Sequence, residues 1–291
     1  MLGHSHEHPA PRFSVVIPAF NEAGYLPACL QSLARQDFTD AVEVIVVDNN
    51  STDRTAEIGR AHGATVLHQT RPGVCWARQA GTLAARGEIV ISTDADTVFT
   101  PGWLTQIDRK LRADPDCVAV AGPCQFQGAP RWAAIYTWLV FHIVHLVATI
   151  TGRVIYGSAT NIAFRKSEWT GYDTTATQGG DEWGLLRALR SRGRIAFDLS
   201  NPTLTSARRL QHGLAYNLLV TCLYYYLLAY LLNRLLRRTV IGTAPAFRHD
   251  STTMAPRGRT WTIAAALAIT LVLTIGIGIG VGGLITHLAD Q

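Results

Sequence analysis

Three stretches of this sequence place carboxylates and amides where apolar runs end. EIVISTDADTVFTPGWL sets Asp94 and Asp96 two residues apart, directly after a run of Val and Ile. Alternate residues of extended chain point to opposite faces, so the two carboxylates converge only where the strand gives way to a turn. There one carboxylate can hold a ribose hydroxyl while the other binds a divalent cation bridging a diphosphate, hard-oxygen chemistry suited to Mg2+ or Mn2+. VEVIVVDNNSTDRTAEI closes a second apolar run on Asp48, followed by Asn49, Asn50 and Ser51. A carboxylate in that position can bond a base or a ribose, and the same polar residues can equally serve the turn, with Thr52 or Asp53 capping the next helix. VVIPAFNEAGYLPACLQSL brings Pro18, Phe20, Asn21 and Glu22 between a strand and a helix, a common arrangement when taken alone. In RPGVCWARQAG, Arg78 lies between Gly73 and Gly81; an arginine there can reach diphosphate oxygens with its planar fork, or make an ordinary salt bridge.

Positioning these residues requires a repeated unit of strand and helix. From Phe13 to about Asp116 short Val- and Ile-rich runs ending in polar residues alternate with helical segments, which predicts a parallel sheet covered by helices. Ligands of such sheets bind at the carboxyl ends of the strands, where Asn21, Glu22, Asp48, Asn49, Asp94 and Asp96 fall. A nucleotidyltransferase on a similar sheet would want a Gly-rich loop with a basic residue after the first strand, and PAFNE stands there instead.

The 291 residues carry 26 basic and 21 acidic side chains, a formal charge of +5, and are 48% hydrophobic but only 16% charged. Average soluble domains are about 25% charged, so apolar surface facing lipid is expected, while disorder and a nucleic-acid-binding tail are disfavoured. The basic residues are nearly all arginine, clustered at 208–209, 234–238 and 248–259 beside apolar stretches, which points to phospholipid headgroups rather than nucleic acid. Five cysteines without a CxxC pair encode neither a disulfide framework nor a zinc cluster and suit a reducing compartment. Residues 1–12 lack the apolar core of a signal peptide and read as a disordered tail containing His4, His6 and His8.

Three long apolar stretches follow. Trp261–Ile285 holds 25 uncharged residues; a helix of that length reaches roughly 37 Å, enough to span a bilayer. Residues 214–232 are long enough too, but a crossing there would leave six arginines, from Arg234 to Arg259, outside. The positive-inside rule disfavours that, so 213–240 is expected to form an interfacial or re-entrant helix, joined by a basic linker at 241–260 to the span at 261–285. The stretch 132–150 is expected to be an interfacial or buried helix, since a crossing would separate the acids before it from those near 181. His142 and His145 within it have no acidic partner motif, and Trp132 and Trp138 suit an interface as well as a sugar platform. The arginines before Trp261 set the globular part on the cytoplasmic side of the cell membrane.

Taken in order, VIPAFNE, VVDNNSTDRT, GxxxARQAG, TDADT and GGDEWGLLRALRSRG resemble the family 2 glycosyltransferases of the GT-A fold, over Phe13 to about His212. The resemblance implies an inverting enzyme with a Rossmann-like, mostly parallel α/β sheet that uses a nucleotide-diphosphate sugar and Mn2+ or Mg2+. By motif position Pro18, Phe20, Glu22, Asp48 and Asn49 would line the nucleotide, Arg78 would contact its uridine or phosphate end, and Asp94 would hold ribose or phosphate. Asp96 would be the metal ligand. The base position falls on Asp181, six residues before Arg187; Gly180 replaces the usual preceding Glu, which leaves Glu182 as a competitor. Asn49 is a second departure, where many relatives carry Asp. Gly157, Ser158 and Asn161 in YGSATNIAFRKSEW resemble the acceptor-side segment, and also suit a strand entered through small residues. TSARRLQHG lacks the Gln-x-x-Arg-Trp motif of processive relatives, so a polymerising synthase is not supported; Arg208 and Arg209 remain for the diphosphate or for anchoring. The apolar segments flanking the acceptor-side motif lead to a lipid acceptor, polyprenyl phosphate or glycolipid, as the expectation. A soluble or protein acceptor, or a non-catalytic nucleotide-binding scaffold, are the alternatives. No oligomeric state follows, because the glycine-rich last stretch permits pairing without requiring it.

Overall fold

The structure, a computed structural model, describes residues 10–174 and 181–212. The chain divides into two units, Met1–Ala207 and Arg208–Gln291. The described part of the second is the end of a short 3-10 helix, Ala207–His212. The tail at 1–9 and the segments expected at 213–240, 241–260 and 261–285 lie outside the described residues.

In the first unit the strands are β1 (Phe13–Ala19), β2 (Val42–Asp48), β3 (Thr65–His68), β4 (Ile89–Ser92), β5 (Thr97–Val98), β6 (Cys117–Ala121), β7 (Cys124–Gln127), β8 (Ile162–Arg165), β9 (Arg194–Phe197) and β10 (Thr203–Ser206). The helices are α1 (Leu26–Ala34), α2 (Thr55–Ala61), α3 (Val74–Ala84), α4 (Trp103–Ala113), α5 (Arg131–Thr151) and α6 (Asp181–Arg190). Seven strands form one sheet in the order β3-β2-β1-β4-β8-β6-β9, and β5-β10-β7 form a second, smaller one. β1 runs parallel to β2 and β4, β2 to β3, and β6 to β9. β8 is antiparallel to both of its neighbours, so the sheet is mixed rather than all parallel. The cause is the connection: α5 and the segment after it return the chain between β4 and β6 in the reverse direction.

The apolar runs are continuous because both faces of the sheet are covered. Phe13, Val15 and Ile17 pack with Leu26, Leu30, Trp103, Leu104 and Ile107, the side of α1 and α4. Val16, Ile45 and Val47 pack on the other side, with Ala77 of α3 and Leu185, Leu186 and Leu189 of α6. Gly81 belongs to this packing: a Cβ there would stand 2.4 Å from Val16 Cγ1 and 2.9 Å from Val47 Cγ2. Its role is to let α3 lie directly on the sheet.

α5 occupies the first apolar stretch, and among the described residues it is the one helix long and apolar enough to cross a membrane. It ends at Gly152, whose left-handed φ of 66° lets its N–H cap the Ala148 carbonyl. Ala133, Thr137, Phe141 and Val144, at spacings of four, four and three, form its buried stripe. The opposite stripe, Ile135, Leu139, Ile143, Leu146 and Ile150, is exposed together with Trp138. An exposed helix face is ordinarily polar, so α5 is apolar on a side that the rest of the unit leaves uncovered. His142 bonds the Trp138 carbonyl at 2.7 Å and His145 lies against Phe197.

Candidate active site

The loops after β1 and β2 are stitched to each other. Asn21, in the left-handed region at φ 53°, donates its N–H to Ser51 Oγ at 2.9 Å, and its Oδ1 accepts the Thr52 N–H at 2.7 Å. Glu22 N–H goes to Thr55 Oγ1 at 2.8 Å, and Ala23 N–H to Asp53 Oδ2 at 3.1 Å. Burial pushes the Asp53 carboxyl up, but the hydrogen bonds from Thr55 and Ala23 outweigh it and leave the group below its ordinary value. The NE and STD motifs are therefore two halves of one structure. Within it Glu22 is buried, Phe20 is exposed and Pro18 is half-buried.

Asp48 ends β2, nearly buried; its Oδ1 accepts the Ser51 N–H at 3.1 Å and its Oδ2 lies 3.3 Å from His68 Nδ1, at the end of β3. Asn49 directs its amide to the backbone of 69–73: Nδ2 donates to the carbonyls of Gln69 and Arg71 at 2.8 and 2.7 Å, and Oδ1 accepts the Gly73 N–H at 2.7 Å.

β4 gives way to a turn at Asp94, closed by Thr97 N–H to the Asp94 carbonyl at 3.3 Å. The Arg78 guanidinium reaches Asp94 from below: Nη2 bonds Asp94 Oδ1 at 2.7 Å, while Nη1 bonds Ser92 Oγ at 2.6 Å and the Ala159 carbonyl at 3.2 Å. Arg78 is buried, so what it does here is hold the Asp94 carboxylate and tie α3 to the segment at 159. Asp96 is held from β10: Thr205 Oγ1 donates to Asp96 Oδ1 and Ser206 N–H to its carbonyl, both at 3.2 Å. Beneath the turn the buried Cys29 thiol is pushed far up, first by burial and then by the charges of Asp96, Asp94 and Glu22. The site thus concentrates negative charge.

In the segment expected to face the acceptor, Asn161 is buried with its amide committed within the protein: Oδ1 accepts Trp103 Nε1–H at 3.0 Å, and Nδ2 donates to the carbonyls of Pro123 and Asn201 at 3.0 and 2.8 Å. Ser158 Oγ and Thr160 Oγ1 are 2.8 Å apart, and Thr160 Oγ1 is the same distance from Thr203 Oγ1. Gly157 packs so closely that a Cβ would meet Ala121 Cβ at 2.9 Å. The segment reads as the small-residue entry to β8, propping the floor beside Asp94 through Ala159. Asp181 begins α6, with its side chain outside the described residues; Glu182 is half-buried and Trp183 exposed. α6 is seated by Leu185, Leu186 and Leu189 and by Arg190, which bonds the Val154 carbonyl at 2.6 Å.

A family model described as glycosyl transferase family 2 matches residues 14–169, more than half of the chain and all of the loops just described except β10 and α6. The chain belongs to glycosyl transferase family 2. An uncharacterized glycosyltransferase of Mycobacterium tuberculosis is 40% identical over 105 residues, 36% of this chain and 46% of that protein. An N-acetylglucosaminyltransferase of Bradyrhizobium elkanii is 31% identical over 121 residues, 38% of this chain and 65% of that protein. The chain thus spans about half the length of the curated relatives it matches. Among solved structures, a mannosyltransferase of Pyrobaculum calidifontis in complex with GDP-Man and Mn2+ superposes with a TM-score of 0.56 at 24% identity, over 68% of this chain and 57% of the other. S. aureus TarS 1-349 in complex with UDP-GlcNAc does so with a TM-score of 0.54 at 20% identity, over 67% and 58%. Both likenesses establish the GT-A-like fold.

The donor set of this site fits a hard cation. Asp94 and Asp96 offer carboxylate oxygens on one turn, with the Asp96 carboxylate held by Thr205. Among the described residues no group of three or more His, Cys, Asp or Glu forms a complete cage. One or two carboxylates completed by substrate phosphates is the usual way in which Mg2+ is bound. Sequence reasoning missed the residues that hold these acids. Thr205 and Ser206 come from more than a hundred residues downstream, Ser92 and His68 look like ordinary strand-end residues and Thr55 like an ordinary helix start; no local pattern marks them.

Proposed function

We propose that this chain is an inverting glycosyltransferase that moves a sugar from a nucleotide-diphosphate sugar to a lipid, a polyprenyl phosphate or a glycolipid, at the cytoplasmic face of the cell membrane. The donor half of this reading rests on the family and on the Asp94–Asp96 turn; the neighbours that hold GDP-Man with Mn2+ and UDP-GlcNAc share the fold. The acceptor half is carried by one observation, the exposed stripe of Ile135, Leu139, Ile143, Leu146 and Ile150 on α5. α5 leads through Gly152 directly into the acceptor-side segment 157–161, so a surface that seeks lipid adjoins the place where an acceptor would arrive. Trp138 and Arg131 and Arg153 at the two ends of the helix suit headgroup depth. The apolar segment 261–285 would anchor the chain with its catalytic unit in the cytoplasm.

Asp48 would face the base or ribose, and Asp94, fixed by Arg78, would hold ribose or phosphate. Asp96, with its carboxylate oriented by Thr205, would hold Mn2+ or Mg2+, whose positive charge would stabilise the departing diphosphate. Asp181, or Glu182 beside it, would take the proton of a hydroxyl acceptor as that oxygen attacks the anomeric carbon opposite the departing diphosphate. A phosphate acceptor is already anionic, and the same acid would then only position it.

Membranes containing the chain, supplied with labelled UDP-, GDP- and dTDP-sugars and Mn2+ or Mg2+ and then extracted with organic solvent, test the proposal. Label in the lipid phase from one donor, absent in Asp96→Ala, is the expected result. Donor consumed with label left in water or on protein would discard the lipid acceptor, and no donor consumption at all would favour the scaffold.

A further inference from the structure

The geometry around Asn49 explains why an amide is needed at this position. An amide supplies two N–H donors and a carbonyl acceptor; a carboxylate supplies acceptors only. Both Asn49 donors are used, on the carbonyls of Gln69 and Arg71, and its Oδ1 takes the Gly73 N–H. Asn50 adds a second hand: its Nδ2 lies 3.2 Å from the Gln69 carbonyl and 3.1 Å from that of Thr70. It reaches them from a left-handed backbone, φ 68°, which Asn and Gly tolerate better than other residues. Gln69 N–H closes the other side on the Asp48 carbonyl at 2.9 Å.

The clamped segment is the connection between β3 and α3. At its far end Gly73 takes φ 129°, a conformation that favours glycine, and α3 begins at the next residue. Four residues further on stands Arg78, whose guanidinium holds Asp94. A line of hydrogen bonds therefore runs from Asp48, at the nucleotide end, through the Asn49 and Asn50 amides and residues 69–73 into α3, and on to Asp94.

We infer that Asn49 and Asn50 form an amide latch that fixes the 69–73 connection and so sets the spacing between Asp48 and Asp94 for a nucleoside diphosphate. Asn49 is a positioning residue in this arrangement, its side chain spent on backbone rather than on the base. The inference rests on the donor reading above. Asp at position 49 would keep the Gly73 bond but turn carboxylate oxygens toward two carbonyl oxygens, pushing the connection away. Gly at position 50 keeps the backbone conformation and removes only the amide.

The experiment is calorimetric titration of the full chain, in detergent, with UDP, GDP and dTDP in the presence of Mn2+, together with thermal melting. Asn49→Asp is expected to weaken the nucleoside diphosphate that the wild type binds by about tenfold, from two lost donors of ordinary strength, and Asn50→Gly by about threefold. Donor KM should rise in parallel while kcat falls less than about twofold, as for an interaction made equally in ground and transition states. Unchanged affinity in folded Asn49→Asp and Asn50→Gly, whatever their melting temperatures, overturns the latch and leaves the donor reading standing. A wild type that binds none of the three nucleotides overturns the donor reading and the latch with it.

Discussion

Replacing Arg78 by Met removes the cation that, among the described residues, holds Asp94, while keeping most of the buried volume. The Arg78 side chain is 4% exposed and that of Asp94 34% exposed, so the pair is half in solvent on one side only. Breaking a fully buried pair by removing one partner costs about 3–5 kcal/mol. Because Asp94 can turn to water once released, the expected loss is nearer 2–3 kcal/mol, which includes the unpaired Ser92 hydroxyl and Ala159 carbonyl. For a domain of this size each kcal/mol lowers the melting temperature by about 2–4 °C, so Arg78→Met should melt about 5–10 °C below wild type. Arg78→Lys should not restore the site, since an ammonium is a point charge and cannot form the same two-sided fork. Turnover should fall about a hundredfold in Arg78→Met, because the carboxylate proposed to meet ribose or phosphate is no longer held. The assay is thermal melting beside donor consumption at saturating Mn2+. A variant that melts and turns over as wild type would refute the buried Arg78–Asp94 pair as the organiser of the turn. One that melts normally but binds donor far more weakly would return Arg78 to the direct phosphate contact that its motif position implies.

Thr205→Val is nearly isosteric and deletes the bond to Asp96 Oδ1; the Mn2+ concentration for half-maximal activity should rise about tenfold, the low end for partners of a metal-ligating group, and an unchanged metal titration would sink the role given to β10. Asp53 is held below the ordinary carboxylate value against the opposing push of burial, so its contribution is complete above about pH 4 and lost as pH falls through the lowered folded value. Melting curves of wild type and Asp53→Asn should therefore converge as pH falls through the lowered folded value and differ most near neutrality; a difference independent of pH would mean that the charge does not matter to the stitched loops.

The strands that carry the site were legible because burial on both faces demands unbroken apolar runs, and the turn at Asp94 because two acids two apart can meet only there. Other parts could not be read locally. Whether Arg78 served a phosphate or a salt bridge was open in the sequence, and its burial against Ser92, Ala159 and Asp94 depends on how closely Gly81 lets α3 approach the sheet. Thr205 meets Asp96 only because β10 pairs with β5, a contact between residues more than a hundred apart. The reversal at β8 leaves no mark in its four residues, whose apolar pattern would serve either direction. In α5 the buried stripe is hidden, since apolar residues on both sides erase the period that would reveal it. The sequence places Asn49 among the residues expected to line the nucleotide and Asn161 in a segment that suits either the acceptor side or a small-residue strand entry; what it could not show is that their amides bond backbone carbonyls and, for Asn161, a tryptophan.

The claim that the acceptor is a lipid reached along α5 has a direct test in Leu139→Glu/Ile143→Glu, two exposed positions one helical turn apart that belong to neither buried core cluster. Donor binding and the melting temperature should stay within error of wild type, while transfer of labelled sugar into organic-extractable product from bilayers falls at least tenfold, since each carboxylate sets an unfavourable charge against the hydrocarbon. Undiminished transfer to bilayer lipid by this folded double variant would contradict the membrane-facing role of α5, and with it the observation on which the lipid acceptor rests.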